Sequence, residues 1–265
     1  MKKTLEIELG GRKLTLEVGE LAQRSQVAVF GRYGETVVLV TVCSQSSASE
    51  TDFLPLTVDY EEKLYAGGRI STSRFIKREG RPREEATLSA RLIDRFIRPL
   101  FAPDFFNEIQ VIVTVLSYDG ENNPQVLSAI ATSCALSLSR LPWAGPVGVV
   151  RVGRIKGELI LNPTEAELPL SDLGLVVAAG REGIVMIEAQ AEEIAEVELV
   201  KACEFARQHC LAIVLAIEGF AKKVGLKPQV ESKKPDEKTV ETVKNFVKKN
   251  YLGKIDPKFG ADDEW

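Results

Sequence analysis

The segment from residue 69 to residue 98 contains nine cationic side chains, eight Arg and one Lys, against four carboxylates. It therefore has a net charge of +5, whereas the whole chain has −4 and the remainder −9. A planar guanidinium group can bind two phosphate oxygens at once, which an ammonium group does less well. These residue types and their clustering favour a binding site for a polyanion at one place on an otherwise acidic chain.

Residues 84–98 have the periodicity of an amphipathic helix. At about 100° per residue counted from Leu88, one half of the wheel is apolar and holds Leu88, Leu92, Ile93, Phe96, Ile97 and Leu100. The opposite side holds Arg91, Arg95 and Arg98, which we call the arginine ridge. Solvated helix faces usually mix charges of both signs, but this ridge has only Asp94 beside it. We therefore favour a binding face over a solvated one.

The loop before this helix adds six more cations, namely Arg69, Arg74, Lys77, Arg78, Arg81 and Arg83. Phe75 and Ile76 lie among them, where a solvated loop would not place apolar side chains. One interpretation is that Phe75 stacks on an unpaired base while the cations follow the phosphate backbone. The other is that Phe75 packs into the core and anchors the loop. The residues alone leave both open.

The composition is that of a globular protein, with 45% hydrophobic and 27% charged residues. The apolar stretches are too short for a membrane span, and the N-terminal residues alternate like a hairpin, unlike a signal peptide. The four cysteines are scattered without a CxxC pair, which is typical of reduced thiols and not of a disulfide framework or a zinc site. We expect a cytoplasmic protein without a membrane partner.

The pattern of strands and helices favours an α+β fold with mixed β-sheets and packing helices. Residues 4–9 and 13–18 form a predicted hairpin, and further strands are predicted at 25–30, 35–44, 54–62, 108–117 and four places between 147 and 190. Predicted helices cover residues 82 or 83 to 98, 124–139 and 192–225. A lysine-rich tail follows, with weak helical spacing at 240–252. We predict a core of residues 1–220 and a short, mainly helical segment or linker of residues 221–265.

The run GGRISTSRFIKREGRPREEATLSARLIDRFIRPLF closely resembles polynucleotide phosphorylase, specifically the first of its two ribonuclease-PH-like cores. FGRYGETVVLVT and FLPLTVDYEEKLYAGGRI support the resemblance, which covers about residues 1–220. It implies a ribonuclease-PH-like core, with the tail as the start of the family's interdomain helical region. The family's second core and its KH and OB-fold modules have no counterpart in these 265 residues.

In this family an F-F-R-R-type loop lines the entrance of a channel in a trimeric ring, through which single-stranded RNA passes. Phe75-Ile76-Lys77-Arg78 matches that loop, with two conservative changes and one extra residue within 71–74. The resemblance therefore implies a homotrimer, with other RNA-degradation proteins as further possible partners. It also implies that RNA is bound by Phe75, Lys77, Arg78, Arg81, Arg91, Arg95 and Arg98.

The family reaction is phosphorolysis, in which inorganic phosphate attacks the 3′-terminal phosphodiester of RNA and releases a nucleoside diphosphate. A competent core binds a metal through Asp-x5-Asp and a Lys two residues later. The resemblance places Ala166, Asp172 and Gly174 at these positions, so only Asp172 remains as a weak remnant. Glu165 and Glu167 flank the lost position and offer one alternative set of carboxylates.

Two further catalytic parts are also altered. A phosphate-binding Gly-Ser-Ser-type cluster is replaced by residues 120–124, where Glu121 would repel phosphate. The family's histidine near FGRYGET corresponds to about Ser25, and the one histidine of the chain, His209, lies in the last long helix. We therefore expect no catalytic residue, metal or cofactor on this chain, with Mg²⁺ bound by the second core. The alternatives are an autonomous one-core phosphorylase or nucleotidyltransferase, and a purely structural ring subunit.

Overall fold

The computed structural model describes residues 2–48, 53–69, 80–225 and 237–252. The chain forms two compact units, Met1–Val230 and Glu231–Trp265. The second unit contains an amphipathic helix, α4 (Glu237–Val247), and a π-helical turn, Lys248–Leu252. The tail is thus helical near the predicted residues 240–252, while a domain boundary after residue 220 stays a prediction.

A six-stranded sheet forms one layer of the first unit. Its strands are β1 (Lys3–Leu9), β2 (Arg12–Val18), β3 (Val27–Tyr33), β4 (Thr36–Ala48), β5 (Leu56–Glu62) and β6 (Asn107–Ser117). Their order is β1-β2-β3-β4-β6-β5, and all neighbours are antiparallel except β5 and β6. The parallel β5–β6 pair is possible because the helix α1 (Glu84–Ile97) lies between these strands in sequence. The sheet is therefore mixed, as predicted.

A second sheet of four strands is entirely antiparallel, in the order β10-β9-β7-β8. The strands are β7 (Gly148–Ile155), β8 (Glu158–Leu161), β9 (Leu173–Ala179) and β10 (Ile184–Ala191). β9 is buried along almost its whole length, whereas β10 is an edge strand with mostly exposed residues. β10 therefore offers one side of a surface cleft that is described below.

Helix α2 (Pro124–Leu138) lies in the core and packs on β3 and β4 of the first sheet, on β7 of the second, and on α3 (Glu196–Val224). It begins where Asn123 accepts a hydrogen bond from the Gln125 backbone N–H at 2.8 Å, with Pro124 as its first residue. Its many Ala and Ser residues are buried because small side chains allow close approach on all sides. The start of α2 is thereby fixed beside the cleft.

Helix α3 covers the second sheet and comes unusually close to it at Gly148. A Cβ atom at Gly148 would lie 2.2 Å from the carbonyl oxygen of Cys210.

The four cysteines are free, and burial raises the pKa of Cys134 to about 12, so this thiol is not reactive at neutral pH. His209 of α3 packs against Phe205, with 4.7 Å between the two ring centroids.

Candidate nucleic-acid interface and the adjoining cleft

Helix α1 carries the exposed arginines that the sequence predicts. It begins after Arg83 with Glu84 and Glu85 in its first turn, where carboxylates stabilise the positive end of the helix dipole. Its buried face consists of Ala86, Ser89, Leu92, Ile93, Phe96 and Ile97. Leu88, which the wheel placed at the edge of the buried half, is 52% exposed. The apolar face is therefore narrower than predicted, and Leu88 lies next to the ridge.

Two members of the arginine ridge are available to a ligand. Arg91 is exposed and has no hydrogen bond or ion pair with any residue in the described ranges. Arg95 has a 60% exposed side chain, and its Nη1 lies 3.7 Å from a carboxylate oxygen of Glu188 on β10. An ion pair at this distance and exposure contributes little stability. Both guanidinium groups can therefore turn towards phosphate at small cost.

Arg98, the third member of the ridge, is bound within the protein. Its Nε and Nη2 donate to the two carboxylate oxygens of Asp94 at 3.0 and 2.6 Å. Its Nη1 and Nη2 donate to the backbone carbonyls of Leu54 and Leu56, each at 3.1 Å. Arg98 thus joins the end of α1 to the beginning of β5. That Arg98 binds RNA stays a prediction, but its donors already have partners.

A cleft lies beside α1, between this helix, β10 and the segment after β6. Its rim includes Arg69, Arg81 and Arg83, all exposed, together with Leu88. Its floor includes Gln125 and other polar residues at the start of α2. The predicted RNA-binding residues Phe75, Lys77 and Arg78 lie outside the described residues. Arg81 is thus the one predicted RNA-binding residue of the loop that lies within the described ranges, and it lines the cleft.

Asp172, which the resemblance places at the family's metal site, forms an ion pair with Arg154. Its two carboxylate oxygens accept hydrogen bonds from Arg154 of β7, at 2.9 and 3.2 Å from Nε and at 2.6 Å from Nη2. The Arg154 guanidinium lowers the pKa of Asp172 below its ordinary value. A metal ion would have to displace this bidentate partner, so the residue does not fit a metal-binding role.

The two alternative carboxylates also have protein partners. Glu167 accepts hydrogen bonds from the backbone N–H and the hydroxyl of Thr164 at 2.7 and 2.9 Å, which lower its pKa. Glu165 accepts a hydrogen bond from the Asn123 side chain at 3.0 Å. No group of three or more potential ligands suited to a metal ion occurs within the described part of the chain. The residues that correspond to the family's metal site therefore do not fit Mg²⁺.

The carboxylate of Glu165 lies near the N-terminus of α2. Its carboxylate is next to Asn123, the residue that caps α2, and its backbone N–H donates to Glu121 at 3.1 Å. Burial raises the pKa of Tyr118, and the nearby carboxylates of Glu165 and Asp119 raise it further. This end of α2 therefore already faces a carboxylate, which would repel a phosphate ion.

A network of hydrogen bonds fixes the loop that leads into α2. Asp119 accepts from the backbone N–H groups of Glu35, Thr36, Glu121 and Asn122 at 2.8–3.2 Å, and from the Thr36 hydroxyl at 3.0 Å. Burial alone would raise the pKa of Asp119, but these bonds outweigh it and hold the pKa well below its usual range. Arg12 extends the network by donating to the Asn122 side chain at 2.7 Å. The loop is thus rigid in a form shaped by Asp119.

Arg151 of β7 also lines the cleft. Its Nη2 donates to the Gln125 side chain at 2.8 Å. Burial lowers the pKa of Arg151, although Glu165 and Glu188 oppose this effect. The cleft is therefore lined by side chains of both charges, with carboxylates such as Glu188 and Glu192 beside the exposed arginines.

The comparisons with known proteins agree with the geometry. The profile of the 3′ exoribonuclease family, domain 1, matches residues 10–142, and that of domain 2 of the same family matches residues 145–209. A rice (Oryza sativa) Rrp46 crystal structure superposes with a TM-score of 0.62 over 80% of this chain and 93% of that one, at 14% identity. At this identity the likeness concerns the fold alone, and it confirms the predicted ribonuclease-PH-like class.

Among curated proteins, relatives named polyribonucleotide nucleotidyltransferase match most of this chain. One from Rhodopseudomonas palustris (strain BisB5) is 49% identical over 86% of this chain and 32% of its own length. Another, from strain BisB18, is 48% identical over 97% of this chain and 35% of its own length. The chain thus spans about a third of the length of these relatives. No helix in the described ranges is long and apolar enough to cross a membrane.

Proposed function

Because this chain belongs to the 3′ exoribonuclease family and resembles the N-terminal core of polyribonucleotide nucleotidyltransferases, we propose that it binds single-stranded RNA without cleaving it. The resemblance predicted from the sequence is confirmed at the level of this family. The longer relatives are enzymes by name, and phosphorolytic degradation of RNA from the 3′ end is the activity that we propose for the whole protein.

The arginine ridge is the observation that carries this proposal. Arg91 and Arg95 lie on the exposed side of a helix whose other side is buried. The backbone that carries the two guanidinium groups is therefore held in place by packing. Arg81 lies at the entrance of the adjoining cleft. This arrangement suits the backbone of a flexible polyanion, since exposed guanidinium groups bind phosphates without reading the sequence. The loop residues Phe75, Lys77 and Arg78, which lie outside the described part of the chain, belong to the same proposed interface.

The absence of catalysis by this core is proposed from the state of the cleft. Asp172 is paired with Arg154, and Glu165 faces the N-terminus of α2 through Asn123. A phosphorolytic site needs a phosphate position and a group that neutralises the transferring phosphoryl oxygens, and neither is provided by these residues. We propose that Mg²⁺ and catalysis belong to the second core of the longer relatives.

Incubation of the purified chain with poly(A), inorganic phosphate and Mg²⁺ tests this proposal. We expect retention of the RNA in a binding assay and no phosphate-dependent release of ADP. Release of ADP that requires phosphate would establish the autonomous-enzyme alternative. Absence of RNA binding would leave the structural ring subunit as the better account.

Assembly is a further part of the proposal. We propose that the chain contributes to a homotrimeric ring in the cytoplasm, as the family resemblance implies, and that other RNA-degradation proteins associate with that ring. Sedimentation equilibrium of the purified chain tests the ring directly. A trimer is expected, and a monomer at every concentration would contradict self-assembly by this core alone.

A further inference from the structure

An exposed aromatic residue stands near the cleft entrance without a structural explanation. Tyr65 is 60% exposed, and its side chain has no hydrogen bond, ring contact or ion pair with any residue in the described ranges. Large aromatic side chains normally bury most of their surface when they serve packing. Its ring is therefore accessible to a ligand.

The backbone that carries Tyr65 is held firmly. It lies in a 3₁₀ turn, Leu64–Gly67, closed by a hydrogen bond from the Gly68 N–H to the Tyr65 carbonyl at 3.0 Å. The Tyr118 N–H donates to the Ala66 carbonyl at 3.0 Å, which joins the turn to the end of β6. Gly68 has φ +70°, so glycine suits this end of the turn. The ring is thus presented from a rigid base.

The surroundings of Tyr65 are charged and not apolar. Of the exposed residues between 61 and 69, Tyr65 is the only large hydrophobic one within that described stretch. Arg69 follows it by one turn, its backbone N–H donating to the Leu64 carbonyl at 3.0 Å, and its exposed side chain lies on the cleft rim. A protein partner would favour a continuous apolar patch. Glu61 and Glu62 are exposed as well, but an isolated ring followed by an exposed arginine is a combination that binds unpaired bases.

We propose that one base of single-stranded RNA stacks on the Tyr65 ring, with Arg69 binding an adjacent phosphate. This inference rests on the proposed RNA-binding function and adds a base contact to the phosphate contacts of α1. Every nucleobase has a π-face, so the contact tolerates any sequence. The Tyr65 ring increases the affinity for RNA by stacking, whereas Arg91 and Arg95 increase it through their charge.

The two kinds of contact differ in their salt dependence, which gives a direct test. We expect Tyr65→Ala to raise the Kd for oligoadenylate at least about fivefold, with an unchanged slope of log Kd against log salt. Tyr65→Phe keeps the ring and should bind like the unaltered chain. RNA with abasic sites in place of the bases should bind the Tyr65→Ala variant and the unaltered chain equally well.

Tyr251→Ala is the matched control, because Tyr251 is another exposed tyrosine, at 55%, in the other compact unit. If Tyr65→Ala binds RNA normally while Arg91→Ala/Arg95→Ala binds it more weakly, the inference of base stacking on Tyr65 is wrong and the proposed function stands. If Tyr251→Ala weakens binding as much as Tyr65→Ala does, the assignment to Tyr65 is wrong. A change of oligomeric state in Tyr65→Ala, at normal RNA affinity, would identify a contact between copies of the chain and overturn the inference.

Discussion

Arg154 binds both carboxylate oxygens of Asp172, with its closest contact 2.6 Å long. The two residues are 18 positions apart and face each other because β7 and β9 are antiparallel neighbours. The backbone N–H of Asp172 also donates to the Arg154 carbonyl at 3.0 Å. The carboxylate that resembles a catalytic remnant is therefore part of the structure of the second sheet.

Asp172→Asn should leave both Mg²⁺ binding and RNA binding unchanged, because Asp172 already has a cationic partner in Arg154. Isothermal titration of Mg²⁺ into each protein is the measurement, with Glu192→Gln as a control that removes another exposed carboxylate on the cleft rim. A binding heat in the unaltered chain that disappears only in Asp172→Asn would show that this carboxylate holds a metal after all.

Asp119→Asn should lower the free energy of unfolding by about 2–4 kcal/mol at neutral pH, since several hydrogen bonds to a charged acceptor are weakened together. The folded-state pKa of Asp119 is below that of the unfolded chain. Its stabilisation is therefore complete above the unfolded pKa of about 4 and is lost as the pH falls towards the folded pKa. The free energy of unfolding of Asp119→Asn should therefore fall less than that of the unaltered chain as the pH is lowered.

Chemical denaturation of the unaltered chain and of Asp119→Asn between pH 7 and pH 3 measures this difference. Asp59→Asn is the control, because within the described residues the Asp59 side chain accepts one long hydrogen bond, from Gln110 at 3.4 Å. Parallel stability curves for the unaltered chain and Asp119→Asn across this pH range would show that Asp119 is not the source of the acid sensitivity.

Arg98→Ala should destabilise the first unit by about 1–2 kcal/mol, because the Leu54 and Leu56 carbonyls and Asp94 all lose a donor. The salt dependence of RNA binding should stay as it is. Arg91→Ala removes the same type of side chain from α1, two turns earlier, and should leave the melting temperature unchanged. If Arg98→Ala is as stable as Arg91→Ala and has a lower salt slope, Arg98 is an RNA ligand and not an anchor.

Gly148→Ala should cost about 3 kcal/mol of stability or prevent folding, because the added methyl group would overlap the backbone of α3 at Cys210. Gly219→Ala is the control, since a Cβ there meets nothing within 4 Å, and a helical Gly-to-Ala change is neutral or stabilising. Thermal melting of both variants is the measurement. Equal melting temperatures would mean that α3 does not pack on β7 at this distance.

The sequence predicts most elements within a few residues, because the apolar periodicity and the capping residues act locally. The helix predicted from residue 82 or 83 begins at Glu84, and α2 begins at Pro124 as predicted. The strand predicted to end at residue 44 continues to Ala48. Its polar end has no apolar signal and is held by pairing of Ala48 with Asn107 of β6, which depends on the tertiary fold.

The functional site can be predicted only in part from the sequence, because the contacts of its side chains depend on the tertiary fold. Charge clustering identifies the arginines of α1, and the wheel correctly faces Arg91 and Arg95 outwards. Whether a guanidinium is free or bound depends on its long-range neighbours, as the pairing of Arg154 with Asp172 illustrates. Tyr65 has a local signal, an aromatic residue followed by two glycines and Arg69, but its exposure appears only in the folded turn.

RNA binding across a series of salt concentrations, measured for the unaltered chain and for Arg91→Ala/Arg95→Ala, tests the central claim most directly. Each lost phosphate contact removes about 0.7 from the slope of log Kd against log salt on a single strand. We therefore expect the double variant to bind more weakly, with a slope shallower by about 1.4. Lys222→Ala/Lys223→Ala, which removes two exposed cations at the end of α3, should keep the original slope. An unchanged affinity and slope in Arg91→Ala/Arg95→Ala would contradict the proposal that α1 grips RNA.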